Sequence, residues 1–384
     1  MQEIESNELI SRSTKVLTLV ACWLLMFAAS PQVFAQKIVK FDAPNSGTGN
    51  LQGTWPDGLN SEGAVTGWVT DNGNGTHGFL RKANGEFAPD FDVPGADPVV
   101  GCTCPAAIND FGVISGDYGD SAGVYHGFLR SADGSVETFD ASEAGTSKNQ
   151  GTFPVAINNR GTIAGYVVDA KNLGHGFVRS FAGKIVEFDI PGAGTGANQG
   201  TYATGINRYG VIAGTITDAS GVGHGFVREP DGKVTVFDPP AAVDSPVGTY
   251  TALINDYSVV SGNFVDARSH VYVGYLRYPD GHYTTFQPED AGEKPYYGTY
   301  LVSAANLEGT TVGFFQDKNL VAHSFVRYAG HEPIAFDIPG QIEQPGTSYG
   351  SGALVVNSAG LVLGRWHKAG DLNFASHGYL RLPE

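Results

Sequence analysis

Histidine is the residue of this sequence whose spacing first suggests chemistry. One histidine stands at the same place in six copies of a repeated pattern, just before Gly-Phe, Ser-Phe or Gly-Tyr: His77, His126, His175, His224, His323 and His377. Imidazole nitrogens bind metals, so the set raises the question of a metal centre. Copies that recur once per structural unit lie too far apart to share one ion, and we expect each to bond a nearby carbonyl or carboxylate. We therefore predict no metal site.

Aspartate recurs in the same pattern at two further positions. The two sets are Asp71, Asp120, Asp169, Asp218, Asp266 and Asp317, and Asp42, Asp92, Asp140, Asp189, Asp238 and Asp337. We predict that they form hydrogen-bonded networks within each repeat and that no cofactor is needed. Calcium is the alternative, and residues 71–76 form the most suggestive loop. That loop lacks the spacing and the distal Glu of an EF-hand.

An aromatic residue opens the same segment in most copies of the pattern. The set comprises Trp55, Phe153, Tyr202, Tyr250 and Tyr300, with Tyr349 displaced in the last copy. Rings at the mouth of a channel can stack on sugars or on other flat ligands. In a regular strand, however, each ring shares a face with the isoleucine four residues later, which favours packing between units. Both interpretations stay open, and Trp55, Tyr202, Tyr250 and Tyr300 are candidate ligand contacts.

Catalysis has no local motif in this sequence, which lacks Gly-x-Ser-x-Gly, His-Glu-x-x-His and a phosphate-binding loop. We predict no catalytic residues. A single site is better sought where the copies differ, because structural roles repeat. The copies differ at Cys102 and Cys104, at Arg268, His270, Tyr272 and His282, and at Arg365, Trp366, His367 and Lys368. Trp366 and His367 complete the candidate ligand contacts. The cysteine pair is open to three interpretations: a disulfide, a soft-metal half-site or two small core residues.

The elements that position these residues follow from an internal repeat. A Gly-Thr or Gly-Cys pair recurs every 48 to 50 residues, at Gly53, Gly101, Gly151, Gly200, Gly248, Gly298 and Gly346. Seven units result. Each has an asparagine at one place (Asn60, Asn109, Asn158, Asn207, Asn255, Asn306 and Asn357), a glycine at a second, and an aromatic-x-Arg triplet at a third.

Each unit reads as four short strands. In the fourth unit we expect them at 202–206, 211–217, 224–229 and 233–237. Asn207 to Gly210 suits a type I turn, and Asp231-Gly232 suits a two-residue hairpin of the primed type. That hairpin places Phe226 directly opposite Phe237, and the same arithmetic pairs Phe128 with Phe139, Phe177 with Phe188, Tyr275 with Phe286, and Phe325 with Phe336.

Four antiparallel strands repeated at this interval are typical of a β-propeller blade. The last unit stops after its third strand, while residues 38–44 match the fourth-strand sequence at 185–191. We therefore predict an all-β fold over residues 36–384, a single seven-bladed β-propeller. The strand at 37–42 completes the last blade and closes the ring, which protects the sheet edges.

Residues 1–35 have the features of an export signal. Arg12 and Lys15 precede an apolar run at 16–29, and Val33-Phe34-Ala35 offers small residues for cleavage before Gln36. The apolar run is shorter than the roughly 20 residues that span a membrane. We predict a secreted or periplasmic protein without a membrane span after cleavage. An uncleaved anchor and a lipoprotein box ending at Cys22 are the alternatives.

The composition excludes some partners. The formal net charge is −16, and a negative surface repels nucleic acid and anionic lipid. Only Cys102 and Cys104 follow the predicted cleavage point, so no disulfide framework holds the fold and the core must stabilise it. We expect a monomer.

The sequence also resembles a known family. His-Gly-Phe followed by Leu or Val and then Arg, preceded by Ile-Asn-x-x-Gly and followed by Phe-Asp-x-Pro-Gly, is similar to the bacterial extracellular repeats named for a His-Ala-Phe (HAF) tripeptide. Here Gly replaces Ala, as in His126-Gly127-Phe128. The resemblance covers essentially the whole chain after the signal. It implies secretion and a propeller-like fold, and it implies no agreed activity.

These observations favour a non-enzymatic, exported binding scaffold whose ligand is a carbohydrate or an extracellular protein. The alternative is a propeller hydrolase or lyase that acts on extracellular polysaccharide through His, Asp and Tyr side chains near the channel. A structural envelope protein is a third possibility. Whether the protein is an enzyme stays open, with binding favoured because no catalytic motif is present.

Overall fold

Strands provide nearly all the regular structure of this chain. The computed structural model describes residues 37–383 apart from 302, 304 and 372, so the expected export signal lies outside the described residues. Within them, the helical structure is one 3-10 turn at Pro240–Ala242, and no helix is long and apolar enough to cross a membrane. The predicted all-β class is confirmed.

The strands group into the seven units that the repeat predicts. Before unit 1 stands β1 (Ile38–Phe41). Units 1 to 3 contain β2 (Gly53–Leu59), β3 (Val65–Thr70), β4 (Thr76–Arg81), β5 (Thr103–Ile108), β6 (Ile114–Gly119), β7 (Tyr125–Arg130), β8 (Val136–Phe139), β9 (Gly151–Ile157), β10 (Ile163–Val168), β11 (Gly174–Arg179) and β12 (Ile185–Phe188). Units 4 and 5 contain β13 (Gly200–Ile206), β14 (Ile212–Thr217), β15 (Gly223–Arg228), β16 (Val234–Phe237), β17 (Thr249–Ile254), β18 (Val260–Val265), β19 (Tyr272–Arg277) and β20 (Tyr283–Phe286). Units 6 and 7 contain β21 (Gly298–Leu301), β22 (Thr311–Gln316), β23 (Ala322–Arg327), β24 (Ile334–Phe336), β25 (Ser351–Val356), β26 (Val362–His367) and β27 (Ser376–Arg381).

Within a unit, successive strands pair antiparallel. Unit 7 lacks a fourth strand of its own, and β1 pairs with β27 instead, with Ile38 opposite Arg381 and Phe41 opposite Gly378. The predicted strand at 37–42 therefore completes the last unit. In unit 1 the fourth strand is reduced to two isolated bridges, at Phe87 and Phe91.

Parallel bridges link the third strand of one unit to the first strand of the next. They join Gly174 to Gly200 between units 3 and 4, for example, and Ser376 to Gly53 between units 7 and 1. The bridged units form sheets of seven, twelve and eight strands. The seven-stranded sheet contains the last unit and the first.

The predicted pairing of Phe226 with Phe237 is wrong by one residue. Phe237 lies opposite Gly225, and Phe226 lies opposite Val236. The amide of Gly232 bonds the carbonyl of Glu229 and Gly232 has φ +91°, so a type I turn with an extra left-handed glycine replaces the two-residue turn. The same shift separates the pairs expected at Phe128 and Phe139, Phe177 and Phe188, Tyr275 and Phe286, and Phe325 and Phe336.

This register explains the glycine of the His-Gly-Phe triplet. The ring of Phe237 lies across Gly225, where a Cβ atom would stand 2.4 Å from the ring. Neighbouring triplets have the same crowding, with 2.7 Å at Gly127 and 2.6 Å at Gly176. A side chain at these glycines would press on the fourth-strand ring; unit 6, which has Ser324 here, still pairs this residue with Phe336.

The aromatic residues still meet, but between units rather than within a hairpin. Phe226 of unit 4 packs edge-on against Phe188 of unit 3, with ring centroids 6.5 Å apart. The arginine of the same triplet, Arg228, lies 4.6 Å from the Phe188 ring centroid. All seven triplet arginines lie over a fourth-strand or bridging Phe of the preceding unit, and Arg81 of unit 1 lies over Phe41 of β1. Each such pair is a cation–π contact that joins two units.

The recurrent asparagine also joins neighbouring units. The side chain of Asn158 accepts hydrogen bonds from the amides of Arg160 and Thr162, which fixes the predicted turn, and its amide group donates to the carbonyl of Asn207 in the next unit. Equivalent bonds of 2.8 to 3.3 Å run from Asn60 to Asn109, Asn109 to Asn158, Asn207 to Asn255, Asn255 to Ala305, Asn306 to Asn357, and Asn357 to Asn60. The series of bonds returns to its first member.

Replacing Asn158 by Ala should therefore destabilise the protein. The change removes three hydrogen bonds from a side chain that is 7% exposed. The amides of Arg160 and Thr162 lose their acceptor, and the Asn207 carbonyl keeps only its bond from the Gly210 amide. We expect a loss of about 2–3 kcal/mol in the free energy of unfolding, measured by urea titration. The adjacent Asn159→Ala is the control, since Asn159 is exposed, and should cost under about 1 kcal/mol. Equal losses in the two variants would contradict the assigned role.

Candidate functional site

A β-bulge in the first strand decides which side chains reach solvent. In unit 4 the pairing of β13 with β14 shifts between Ala203 and Gly205. Tyr202 therefore keeps contact with solvent while Ile206 is buried, although the two are four residues apart. The expectation that they share one packed face is wrong, because it assumed a regular strand. The bulge recurs in every unit but the sixth, whose first strand is described only as far as Leu301.

The bulge depends on the glycine that all units share. A Cβ atom at Gly214 would lie 2.2 Å from the carbonyl oxygen of Tyr202 and 2.6 Å from the Phe226 ring. Only glycine allows the second strand to approach this closely.

Next to this glycine, one cross-strand pair per unit forms what we call the variable face. Its pairs are Trp55 with Trp68, Cys104 with Asp117, Phe153 with Tyr166, Tyr202 with Thr215, Tyr250 with Asn263, Tyr300 with Phe314, and Gly352 with Arg365. All of these residues except Thr215 and Gly352 retain some exposure to solvent. The second-strand member differs in all seven units, whereas the asparagine, glycine and arginine of the scaffold repeat.

Aromatic pairs dominate the variable face. The rings of Trp55 and Trp68 are nearly parallel, at 7° with centroids 6.3 Å apart. Phe153 and Tyr166 stack at 15° and 5.0 Å, and Tyr300 and Phe314 stack at 12° and 5.1 Å. Rings of neighbouring units touch as well, as at Tyr166 with Tyr202, Tyr125 with Phe153, and Tyr272 with Tyr300. The result is a partly exposed row of π faces.

The predicted ligand contacts divide between this face and the core. Trp55, Tyr202, Tyr250 and Tyr300 belong to it, and Tyr250 is 39% exposed. Trp366 instead packs into the core at 6% exposure, with the ammonium of Lys40 4.3 Å from its ring centroid. Strand alternation gives the outward position to Arg365, so Trp366 is not available to a ligand.

His367 belongs to none of the variable-face pairs and packs against Tyr349 instead. Its ring centroid is 4.6 Å from that of Tyr349. Burial and the neighbouring Arg365 guanidinium lower its pKa to about 4, so the imidazole is neutral at physiological pH.

Three charged residues complete the site, and two of them escaped the sequence-based prediction. Asp57 follows Trp55 by two residues, Asp117 lies opposite Cys104, and Arg365 lies with its guanidinium 5.4 Å from the Trp55 ring centroid. Burial raises the pKa of Asp57 to about 7, against the influence of Arg365. Burial and the Asp57 charge raise the pKa of Asp117 to about 8. Both carboxyls keep a little contact with solvent.

Asp57 and Asp117 could have been found by comparing units. At the Asp57 position units 2 to 5 have Ala106, Val155, Thr204 and Ala252, none of them acidic. The antiparallel register places Asp117 where unit 5 has Asn263. A carboxyl that appears once among several copies is a departure from the scaffold pattern.

The cysteine pair lies beside Asp117. Cys102 and Cys104 are joined by a disulfide across one intervening residue, with Cα atoms 5.6 Å apart. Their sulfurs and a carboxylate oxygen of Asp117 lie within 4.8 Å of one another. Of the three interpretations, the structure has the disulfide.

The recurrent histidines have the structural role that we predicted. His224 bonds Asp238 at 2.7 Å through Nδ1, and its Nε2 lies 3.6 Å from Asp218. The other five histidines bond the equivalent aspartate at 2.8 to 2.9 Å. For His377 that aspartate is Asp42, which follows β1. In the loop at 71–76, the Asp71 carboxylate accepts the amides of Gly73 and Gly75. These contacts satisfy the two aspartate sets within the scaffold.

The departures of unit 5 do not gather at one place. Tyr272 contacts Tyr300 in the aromatic row, whereas His282 stacks on Tyr278 in the turn between the third and fourth strands. Arg268 and His270 lie in the loop that follows the second strand.

Two grooves lie away from the variable face. One of about 690 Å³ is lined by the repeated His323, Asp317 and Asp337 together with Glu289 and Lys294. Another of about 520 Å³ lies between units 2 and 3, where Phe111 and Phe181 are 69% and 82% exposed. The first consists partly of scaffold residues, and the second supplies exposed aromatic side chains that serve below as controls.

The two carboxyls predict a distinctive dependence of stability on pH. Native Asp57 and Asp117 hold protons to about pH 7 and 8, whereas the ordinary carboxyl pKa is 3.8. Between these limits these two groups bind more protons in the native state than in the unfolded chain, so their contribution to stability is complete below about pH 4 and is lost as the pH rises to about 8. A double variant with Asp57→Asn and Asp117→Asn should lack this pH-dependent loss of stability.

We expect the double variant to exceed wild type by about 1–3 kcal/mol in the free energy of unfolding at about pH 9 and to match it near pH 4. Arg365, Tyr125 and Tyr166 also face these carboxyls and are retained in both proteins. Urea titrations across the range measure the difference. Parallel pH profiles would contradict the assignment.

Comparison with known proteins supports the fold. The BP39L lectin from Burkholderia pseudomallei is similar, with a TM-score of 0.53 and 9% identity over 91% of this chain and 98% of that one. AofleA from Arthrobotrys oligospora gives a TM-score of 0.43 with 10% identity over 79% of this chain and 90% of that one. No family model matches the chain, and no curated protein sequence matches it. At this identity, the match to the BP39L lectin shows a shared all-β fold.

Proposed function

We propose that this chain is an exported carbohydrate-binding protein of the HAF-repeat type. It is a closed seven-bladed β-propeller whose variable face lines a central channel, and it binds saccharide without turning it over. It acts as a monomer in the periplasm or outside the cell.

Contacts between the last unit and the first support closure. β1 completes unit 7 while its Phe41 lies under Arg81 of unit 1. Asn357 donates to the carbonyl of Asn60, and Ser376 forms a parallel bridge with Gly53. The junction therefore uses the same kinds of contact as the junctions between sequential units.

One observation carries the binding proposal: partly exposed, parallel aromatic pairs beside hydrogen-bonding groups, at the position where every unit differs. The apolar face of a pyranose ring stacks on such a surface, while its hydroxyls bond nearby carboxyl and guanidinium groups. Trp55 and Trp68 supply the surface, and Asp57 and Arg365 supply the polar groups. The name of the BP39L protein, a lectin with a similar fold, agrees with this proposal.

The second candidate is a polysaccharide hydrolase. It is favoured by two neighbouring carboxyls, Asp57 and Asp117, that burial keeps partly protonated near neutral pH. A protonated carboxyl can donate a proton to a glycosidic oxygen while a second carboxylate assists. The proposed binding function takes precedence because the sequence contains no catalytic motif.

A glycan screen with reducing-end release measured in parallel separates the two functions. We expect the exported chain to retain oligosaccharides of one structural class with no release of reducing ends. Trp55→Ala should weaken binding at least tenfold, because it removes both the stacking face and the apolar area that an indole ring buries against the sugar, together on the order of 1.5–3 kcal/mol. Unit 7 has Gly352 and unit 2 has Cys104 at this position, so the scaffold tolerates a small side chain there.

The control is Phe181→Ala, which removes the most exposed of these aromatic side chains from the groove between units 2 and 3. It should bind as wild type does. Release of reducing ends that Asp117→Asn abolishes would establish the hydrolase instead. Absence of binding to every glycan would refute the proposal.

A further inference from the structure

We propose that the saccharide is an amino sugar, whose ammonium group binds between Asp57 and Asp117 while its pyranose ring stacks on the neighbouring aromatic side chains. This inference rests on the proposed carbohydrate-binding function and names the class of ligand for that site.

The first argument is an imbalance of charge. Asp57 lies near enough to the Arg365 guanidinium for the two charges to interact, whereas Asp117 is exposed to the charge of Asp57. The second-strand position that supplies Asp117 and Arg365 carries no other charge in the remaining units. Among the described residues, no basic side chain comes within 4.0 Å of either carboxyl. With both carboxyls ionised, Arg365 can offset only one of the two negative charges. The second is costly to bury, and a bound cation would reduce that cost.

The second argument is the surrounding π surface. Tyr125 and Tyr166 lie near enough to Asp117 for its charge to raise the pKa of both hydroxyls, and Trp55, two residues before Asp57, forms a parallel pair with Trp68. Aromatic faces attract ammonium groups and also stack on the C–H face of a sugar. A bare metal ion would use the carboxylates and leave the rings unused. An amino sugar uses both.

The third argument is the charge of the whole chain. A neutral sugar would stack on the same rings while leaving the carboxyls uncompensated, so it should bind more weakly. The net charge of −16 also favours the approach of a cationic oligosaccharide.

Binding of a cation should release protons, because an adjacent positive charge lowers the pKa of a carboxyl. At about pH 5.5 the amino groups of the sugar are already protonated while both native carboxyls still hold protons, so any proton released on binding comes from the carboxyls. Calorimetric titration at this pH in two buffers of different ionisation enthalpy measures the release. The ligands are glucosamine hexasaccharide, its N-acetylated counterpart and a glucose hexasaccharide. We expect at least tenfold tighter binding of the glucosamine hexamer, with proton release seen for that ligand alone.

Asp117→Asn is the decisive variant. Unit 5 already carries Asn263 at this position, so the change should leave the fold intact, which circular dichroism checks. We expect loss of the tenfold preference for the glucosamine hexamer and of most of the proton release. The control is Asp133→Asn in the same unit. Asp133 is an exposed turn residue that accepts a hydrogen bond from the Ser135 amide, and an asparagine at this position can accept the same bond.

The outcomes separate the two proposals. Equal binding of all three hexamers, or an unchanged preference in Asp117→Asn, would overturn the amino-sugar inference and leave the carbohydrate-binding function standing. Binding of none of them, together with a negative glycan screen, would refute both. Tighter binding of a lysine-rich peptide than of the glucosamine hexamer, in a manner that needs Asp117, would replace the sugar by a protein ligand.

Discussion

Deletion of residues 36–44 should abolish cooperative folding or lower the free energy of unfolding by more than about 5 kcal/mol. The deletion removes β1, and with it Phe41, which is 9% exposed and lies under Arg81. It also removes the hydrogen bond between the His377 imidazole and the Asp42 carboxylate, and the bond that the Ala43 amide donates to the Thr54 hydroxyl. Loss of a buried Phe alone costs about 3–5 kcal/mol. The unpaired edge of β27 would in addition promote aggregation.

A circular permutant provides the matched control. Residues 37–44 are moved behind Glu384 through a single inserted glycine, so that the last unit acquires a fourth strand in sequence. The new connection reads Leu-Pro-Glu-Gly-Lys, close to the natural Glu-Pro-Asp-Gly-Lys turn that begins at Glu229. We expect the permutant to recover most of the wild-type stability in urea titrations. A stable deletion variant, or a permutant no better than the deletion, would contradict the role given to β1.

Gly214→Ala should be strongly destabilising although it adds only a methyl group. The new Cβ would meet the Tyr202 carbonyl oxygen at 2.2 Å and the Phe226 ring at 2.6 Å. Neither the backbone nor a ring with no exposed surface can yield without breaking the bulge. We expect a loss of at least about 3 kcal/mol in the free energy of unfolding, measured by thermal and urea denaturation.

Gly221→Asn is the control for a glycine that no atom crowds. Gly221 has φ +84°, and no heavy atom lies within 4 Å of the place that a Cβ atom would occupy. Unit 3 carries Asn172 at the equivalent position with φ 61°. Asparagine tolerates this conformation, so the change should cost under about 0.5 kcal/mol. Similar losses at Gly214 and Gly221 would contradict the close-approach explanation.

Much of the scaffold could be predicted because it repeats. Seven copies fix the unit length, the turn at Asn207 and the strand bounds to within two residues, as at 202–206 against Gly200–Ile206. The pairing of β1 with β27 followed from matching residues 38–44 to a fourth strand. Repetition also identified the histidines as scaffold residues.

Local irregularities escaped the prediction. The extra left-handed residue at Gly232 shifts Phe237 from Phe226 to Gly225, and the bulge at Ala203 frees Tyr202 from the packed face. A bulge adds one residue to one strand, and no sequence motif marks its position. Beyond the bulge, the alternation of inward and outward side chains is therefore shifted by one residue from the predicted one.

The site was located only in part for the same reason. Trp55, Tyr202, Tyr250 and Tyr300 were identified from their type, and they lie on the variable face. Asp117 and Trp68 are found by following the cross-strand register rather than the chain. Trp366 was chosen over Arg365 because the sequence does not show which of two adjacent residues faces outward.

The central claim is that one ligand site exists where the units differ. The most direct test is calorimetric titration of the chain with a short oligosaccharide from the glycan screen, with Trp55→Ala and Phe181→Ala measured alongside. We predict one site per chain, weakened at least tenfold by Trp55→Ala and unaffected by Phe181→Ala. Several equivalent sites per chain, or loss of binding in Phe181→Ala with Trp55→Ala unaffected, would place the ligand on the repeated scaffold and contradict the account.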